Sequence, residues 1–161
     1  MLDTIFGLPM HPLIVHATVV IVPTAALLVA LAATVPRFRA WIGPVPALTA
    51  ILACVLVPLS TGSGEELEHR VGETSLVQRH AALAGTLIWF VIPLAVVAVV
   101  GYWLHRRGSA GQALVVTAAV AAVGLAGATL VDVAMIGHSG AKASWSAVVH
   151  QPKQSSSGDG D

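Results

Sequence analysis

Residues 80–104 read HAALAGTLIWFVIPLAVVAVVGYWL, a run without a single Asp, Glu, Lys or Arg. A helix rises 1.5 Å per residue, so roughly 20 such residues cross about 30 Å of hydrocarbon. Three further stretches read the same way, residues 12–35, 45–61 and 113–136, each closed by Pro, Gly or charged residues. The shortest of them is 45–61. With 56 % hydrophobic and 10 % charged residues and a mean hydropathy of +0.84, the chain is too apolar for a soluble domain and needs lipid as its solvent. The expected fold class is all-α, a four-helix transmembrane bundle over residues 1–140, followed by a polar, mostly disordered tail over 141–161 that has little to bury.

Charge sets the expected direction. Arg37 and Arg39 lie between the first two spans and Arg106 and Arg107 between the last two, whereas the loop from Ser63 to Arg79 carries Glu65, Glu66, Glu68 and Glu73 against Arg70 and Arg79. The positive-inside rule then puts both arginine pairs in the cytoplasm and both termini outside. Met1 to Gly7 lack the basic segment of a cleaved signal, so a multi-pass protein of the membrane is expected. Net charge is zero and the basic residues are scattered, which leaves no stripe for nucleic acid. Cys54 is the sole cysteine, which excludes an internal disulfide and a covalently attached haem. No Ser/His/Asp order, phosphate loop or paired carboxylate points to hydrolysis or phosphoryl transfer.

Helix association in lipid depends on close backbone approach. Span four is rich in small residues, among them Ala118, Ala121, Ala122, Gly124, Gly127 and Ala128, and Ala81, Ala84 and Gly85 open span three. Pro23, Pro58 and Pro93 fall inside spans and are expected to kink them. Trp89, Tyr102, Trp103 and Trp145 read as lipid-facing or interfacial aromatics. The chain has no internal repeat beyond two loosely similar helix pairs.

In this topology His11 and His16 lie at the outer end of span one, His80 at the outer end of span three, and His138 just past the outer end of span four. His69 and His150 fall on the same side, and His105 is cytoplasmic and reads as a snorkelling side chain. A spacing of five turns His16 roughly 140° from His11 on one helix. His16, about one turn inside the span, is the stronger candidate ligand, because a polar ring at that depth needs a partner. Asp132 sits within an otherwise apolar helix. It is expected to accept an imidazole N–H from span one or three and so fix a ligand's tautomer; a proton relay or a bond to a Ser or Thr hydroxyl is the alternative. Ser60 to Glu66 is expected to end span two, with Gly62 able to break the helix. Glu65 and Glu66 read as solvated charges more readily than as ligands.

The opening Gly7-Leu8-Pro9-Met10-His11-Pro12-Leu13-Ile14-Val15-His16, the Thr61-Gly62 followed by acidic residues, His80 at the head of span three and His138-Ser139-Gly140 after span four resemble a bacterial four-helix inner-membrane domain of unknown function. The likeness runs from about Phe6 to Gly140. It implies an inner-membrane protein associated with redox chemistry, with His11, His16, His80 and His138 at the family's histidine positions and with relatives fused to Rieske-type or cytochrome-like carriers.

The leading functional expectation is a b-type haem held by two imidazoles from different helices, His16 and His80, passing electrons between a quinone or partner protein and an outer acceptor. The second is a copper or zinc ion held by three or four of His11, His16, His80 and His138, with or without Asp132. Met10 and Met135 lie near that group and suit copper. The third is a non-catalytic membrane subunit whose histidines satisfy one another.

Overall fold

The computed structural model describes residues 4–5, 8–71, 74–108 and 111–149, with side chains over 10–68, 74–108 and 111–146. A two-residue antiparallel pairing, β1 (Thr4–Ile5) with β2 (Leu8–Pro9), precedes six helices. These are α1 (Met10–Thr34), α2 (Pro36–Ile42), α3 (Val45–Val71), α4 (Ser75–Thr86), α5 (Ile88–Arg107) and α6 (Gln112–Val149). Four candidate membrane spans result: Met10–Thr34, Val45–Glu68, Ser75–Arg107 and Gln112–Ser146.

Each expected span exists, and three differ in extent. The second helix does not end at Thr61. It runs through Gly62 and Gly64 to Val71, because the hydroxyls that were expected to terminate it fold back within the helix instead: Thr61 donates to the Val57 and Pro58 carbonyls and Ser63 to the Ser60 carbonyl. The fourth helix continues past 136 and past 140, so His138 and the first residues of the expected tail are helical. The tail from 150 onward lies outside the described residues. The third span is two helices meeting at Leu87, whose N–H reaches the Ala84 carbonyl three residues back rather than four. Pro36 starts the short α2 where its missing N–H is no loss. Gly43 and Gly108 close α2 and α5 at φ of 59° and 65°, a region that suits glycine.

α1 packs on α3 and α6, and α5 packs on the same two, so the spans form a ring, with a slighter contact between α1 and α5 across it. The core is built mainly from alanine and valine, with Leu94 an exception: Val22, Ala25, Ala26 and Val29 on α1, Ala50, Ala53 and Val57 on α3, Val91, Leu94 and Ala95 on α5, and Ala122 and Ala126 on α6. On α6 the buried positions Ala122, Ala126, Thr129, Asp132 and Ser139 recur at three, four or seven residues and trace one stripe. Large apolar side chains face outward, Val120 at 67 % and Val131 at 61 % exposure. Water would penalise that surface, whereas lipid is its natural solvent.

Candidate functional site

His11 sits in the first turn of α1 and faces α3. Its Nδ1 lies 3.1 Å from the Ser60 carbonyl oxygen and 3.1 Å from Ser63 Oγ. A carbonyl can only accept, and the Ser63 hydroxyl donates to that same carbonyl at 2.9 Å. The His11 proton is therefore on Nδ1, donated to both oxygens, and Nε2 keeps its lone pair. Backbone approach here is tight: a methyl group built on Gly64 would lie 3.0 Å from His11 Cε1.

The same arrangement recurs in the second half of the chain. His80, on α4, has its Nδ1 3.0 Å from Ser139 Oγ on α6. Ser139 Oγ also lies 2.8 Å from the Ile136 carbonyl; with the hydroxyl proton directed there, the oxygen accepts from His80 Nδ1–H and Nε2 is bare. A methyl group on Gly140 would lie 3.0 Å from His80 Cε1. Each half thus has a histidine near the head of its first helix, a Ser-Gly step on its second helix, and a proline, Pro23 or Pro93, inside the first span. The two loosely similar helix pairs of the sequence are two copies of one contact. The two imidazoles belong to the same end of the bundle, His11 at the start of α1 and His80 in α4, where the span Ser75–Arg107 begins.

The other expected ligands fall elsewhere. His16 is exposed, and its Nδ1 bonds the Pro12 carbonyl of its own helix. His138 is exposed on α6, turned about 100° around the helix from the buried Ser139 that follows it. Of the pair favoured from sequence, His16 and His80, only His80 bonds a neighbouring span, as His11 also does. Glu65 and Glu66 are exposed. The side chain of His69, together with His150, lies outside the described residues. His105 is exposed at the arginine end, as a snorkelling residue is. Among the described residues no group of three or more His, Cys, Asp or Glu side chains is arranged to hold a metal ion.

Asp132 is buried on α6, and its partner is a hydroxyl, not an imidazole. Thr86 Oγ1 lies 3.1 Å from Oδ1 and 3.3 Å from Oδ2, and it also donates to the Leu83 carbonyl at 2.7 Å. Thr86 is the last residue of α4, so this bond fastens the junction with α5 to α6 about two turns from the His80–Ser139 contact. The histidine partner expected for Asp132 would have had to come from α1 or α4. On α4, His80 is engaged by Ser139 and Thr86 stands in the position facing the carboxylate.

Sequence reading missed Ser63, Ser139, Gly64, Gly140 and Thr86. The signal was present as Gly62-Ser63-Gly64 and Gly137-His138-Ser139-Gly140, two Ser-Gly steps each downstream of a histidine that opens a span.

No curated protein and no solved structure matches this chain. A family model described as "Predicted membrane protein (DUF2231)" matches residues 7–153, which takes in all four spans and both histidine–serine contacts. The chain is accordingly a member of the DUF2231 family of membrane proteins.

Proposed function

We propose that the protein is a membrane-embedded redox component whose centre is the pair His11 and His80. The observation that carries this reading is the tautomer. The Ser60 carbonyl fixes the proton of neutral His11 on Nδ1, and the same histidine–serine–carbonyl geometry at His80 favours the same tautomer there, which leaves Nε2 of each ring bare. An imidazole oriented through one nitrogen and bare at the other is the ligating form.

Two imidazoles from separate spans could hold a haem iron between them. A structural zinc ion takes four protein ligands and a catalytic one three. With Cys54 the sole cysteine, the haem would be of the non-covalent b type. Such a group supplies one-electron chemistry; the chain supplies two fixed imidazoles and the serines that hold them. By the positive-inside rule this end of the bundle faces the outside of a bacterial inner membrane, and a site in one leaflet exchanges electrons with a quinone or an outer redox protein. It does not by itself carry them across the bilayer.

The test is an optical spectrum and metal analysis of the purified, detergent-solubilised protein and its variants. A Soret band that survives dialysis and is lost in His11→Ala and in His80→Ala is the expected result. Colourless protein carrying stoichiometric copper or zinc that depends on the same two residues would keep the site and replace the haem. Protein with neither would end the cofactor reading and leave the histidines as structural braces.

A further inference from the structure

At the arginine end of the bundle lies a cavity of about 220 Å³. All four spans wall it with small side chains, among them Ala33, Ala47, Ala98 and Ala122, and Arg39, Tyr102 and His105 are its polar members. Arg39 belongs to α2. Its Nη1 donates to the Ala32 carbonyl at 3.2 Å, in the last turn of α1 where that oxygen has no helical donor. Its Nε is buried and has no partner. A charged donor taken out of water without an acceptor is costly, and this edge of the guanidinium is one with which arginine grips a phosphate or carboxylate.

Nothing in the chain at this end supplies the missing anion. Residues 35–44 and 105–112 contain Arg37, Arg39, Arg106 and Arg107 and no Asp or Glu. Arg107 stacks on the Trp103 ring at 3.7 Å, away from this role. Gly43 and Gly108, both at left-handed φ, border the cavity and keep bulk away from it. The natural solvent here is lipid, and basic residues at a membrane surface attract anionic headgroups.

We propose that this cavity is a binding site for an anionic phospholipid, with the headgroup phosphate on the Arg39 guanidinium and part of one acyl chain among the alanines. The site is independent of the histidine pair at the other end. Charge complementarity selects the headgroup, and the alanine walls select an apolar chain over a second polar group.

Native mass spectrometry of the full chain in neutral detergent tests this with phosphatidylglycerol, phosphatidylcholine and palmitate as probes. Phosphatidylglycerol is expected to bind roughly tenfold more tightly than phosphatidylcholine, which has the same phosphate but brings a choline cation up against the arginines. Arg39→Gln should abolish that preference, while Arg106→Gln, at the same end but outside the cavity lining, should change it by less than about twofold. Should Arg39→Gln fail to fold, Arg39→Lys keeps the charge but lacks the forked edge, and the preference should still fall by about threefold or more. Equal binding of the two phospholipids, a preference that survives at position 39, or an equal loss in Arg106→Gln would overturn the proposal. So would palmitate displacing phosphatidylglycerol at equal concentration, since the phosphate would then not be what is recognised.

Discussion

The two halves of the bundle build one contact on different backbones. In the first, α1 runs unbroken from Met10 to Thr34, and His11 has two acceptors, the Ser60 carbonyl and Ser63 Oγ. In the second, the equivalent span breaks at Leu87, His80 has Ser139 Oγ as its hydroxyl acceptor, and the broken helix is fastened by Thr86 to Asp132. Yet the ring-to-glycine approach and the direction of each serine hydroxyl are the same in both. What the halves share is the orientation of an imidazole, and what they do not share is how the surrounding helix is held.

Substitutions can break that comparison at different strengths. The largest effect is expected in the core beside the break, where Leu94 is fully buried and the facing first-half positions are valines and alanines. Leu94→Ala should lower stability in detergent by about 2 kcal/mol, the low end of the range for soluble cores, because lipid rather than water surrounds the side chain when it is released. A loss below about 0.5 kcal/mol on denaturant titration would mean that the neighbours collapse into the space.

Thr86→Val comes next. It removes the hydroxyl that Asp132 accepts from and should cost about 1–2 kcal/mol, while Asp132→Asn, which still accepts from Thr86, should cost less. Equal losses in the two variants would show that the bond does not hold the α4–α5 junction. Faster proteolysis near Leu87 in Thr86→Val alone would sharpen the assignment.

The serines should separate the halves more finely. Ser139→Ala deprives His80 of its hydroxyl acceptor and is expected to cost about 0.6–1 kcal/mol. Ser63→Ala leaves His11 the Ser60 carbonyl and should cost about half as much. The reverse order on thermal unfolding would contradict the network described here. Smallest of all, Gly64→Ala and Gly140→Ala place a methyl group 3.0 Å from the rings; each ring end should yield by a few tenths of an ångström, and the two losses should agree within about 0.5 kcal/mol.

Much of the fold was legible because a span is a statement about solvent: four apolar runs need lipid, and the runs contain the helices. Their ends were less legible. Thr61 to Ser63 reads as a stop signal, but hydroxyls that fold back on carbonyls three or four residues earlier serve a continuing helix as well as a terminating one. Past Ile136, α6 goes on because nothing in Gly137 to Trp145 forbids a helix, although that stretch is less apolar than the run before it. The histidine end was legible as a place and not as a pair. His11 and His16 differ in rotation about α1, and only the packing of α1 on α3 decides which one faces a neighbour. The cavity beside Arg39 left no mark in the sequence, since it arises from alanines on four separate helices.

The account depends on where two protons sit. Nitrogen NMR of the imidazoles in protein labelled with ¹⁵N-histidine, stripped of any cofactor and held at mildly alkaline pH, reads this directly, with His11→Ala and His80→Ala giving the assignments. Protonation of both rings at Nδ1, with Nε2 bare, is the expected result. A proton on Nε2 of either ring would contradict the account, because that nitrogen would then have no lone pair to offer a metal centre.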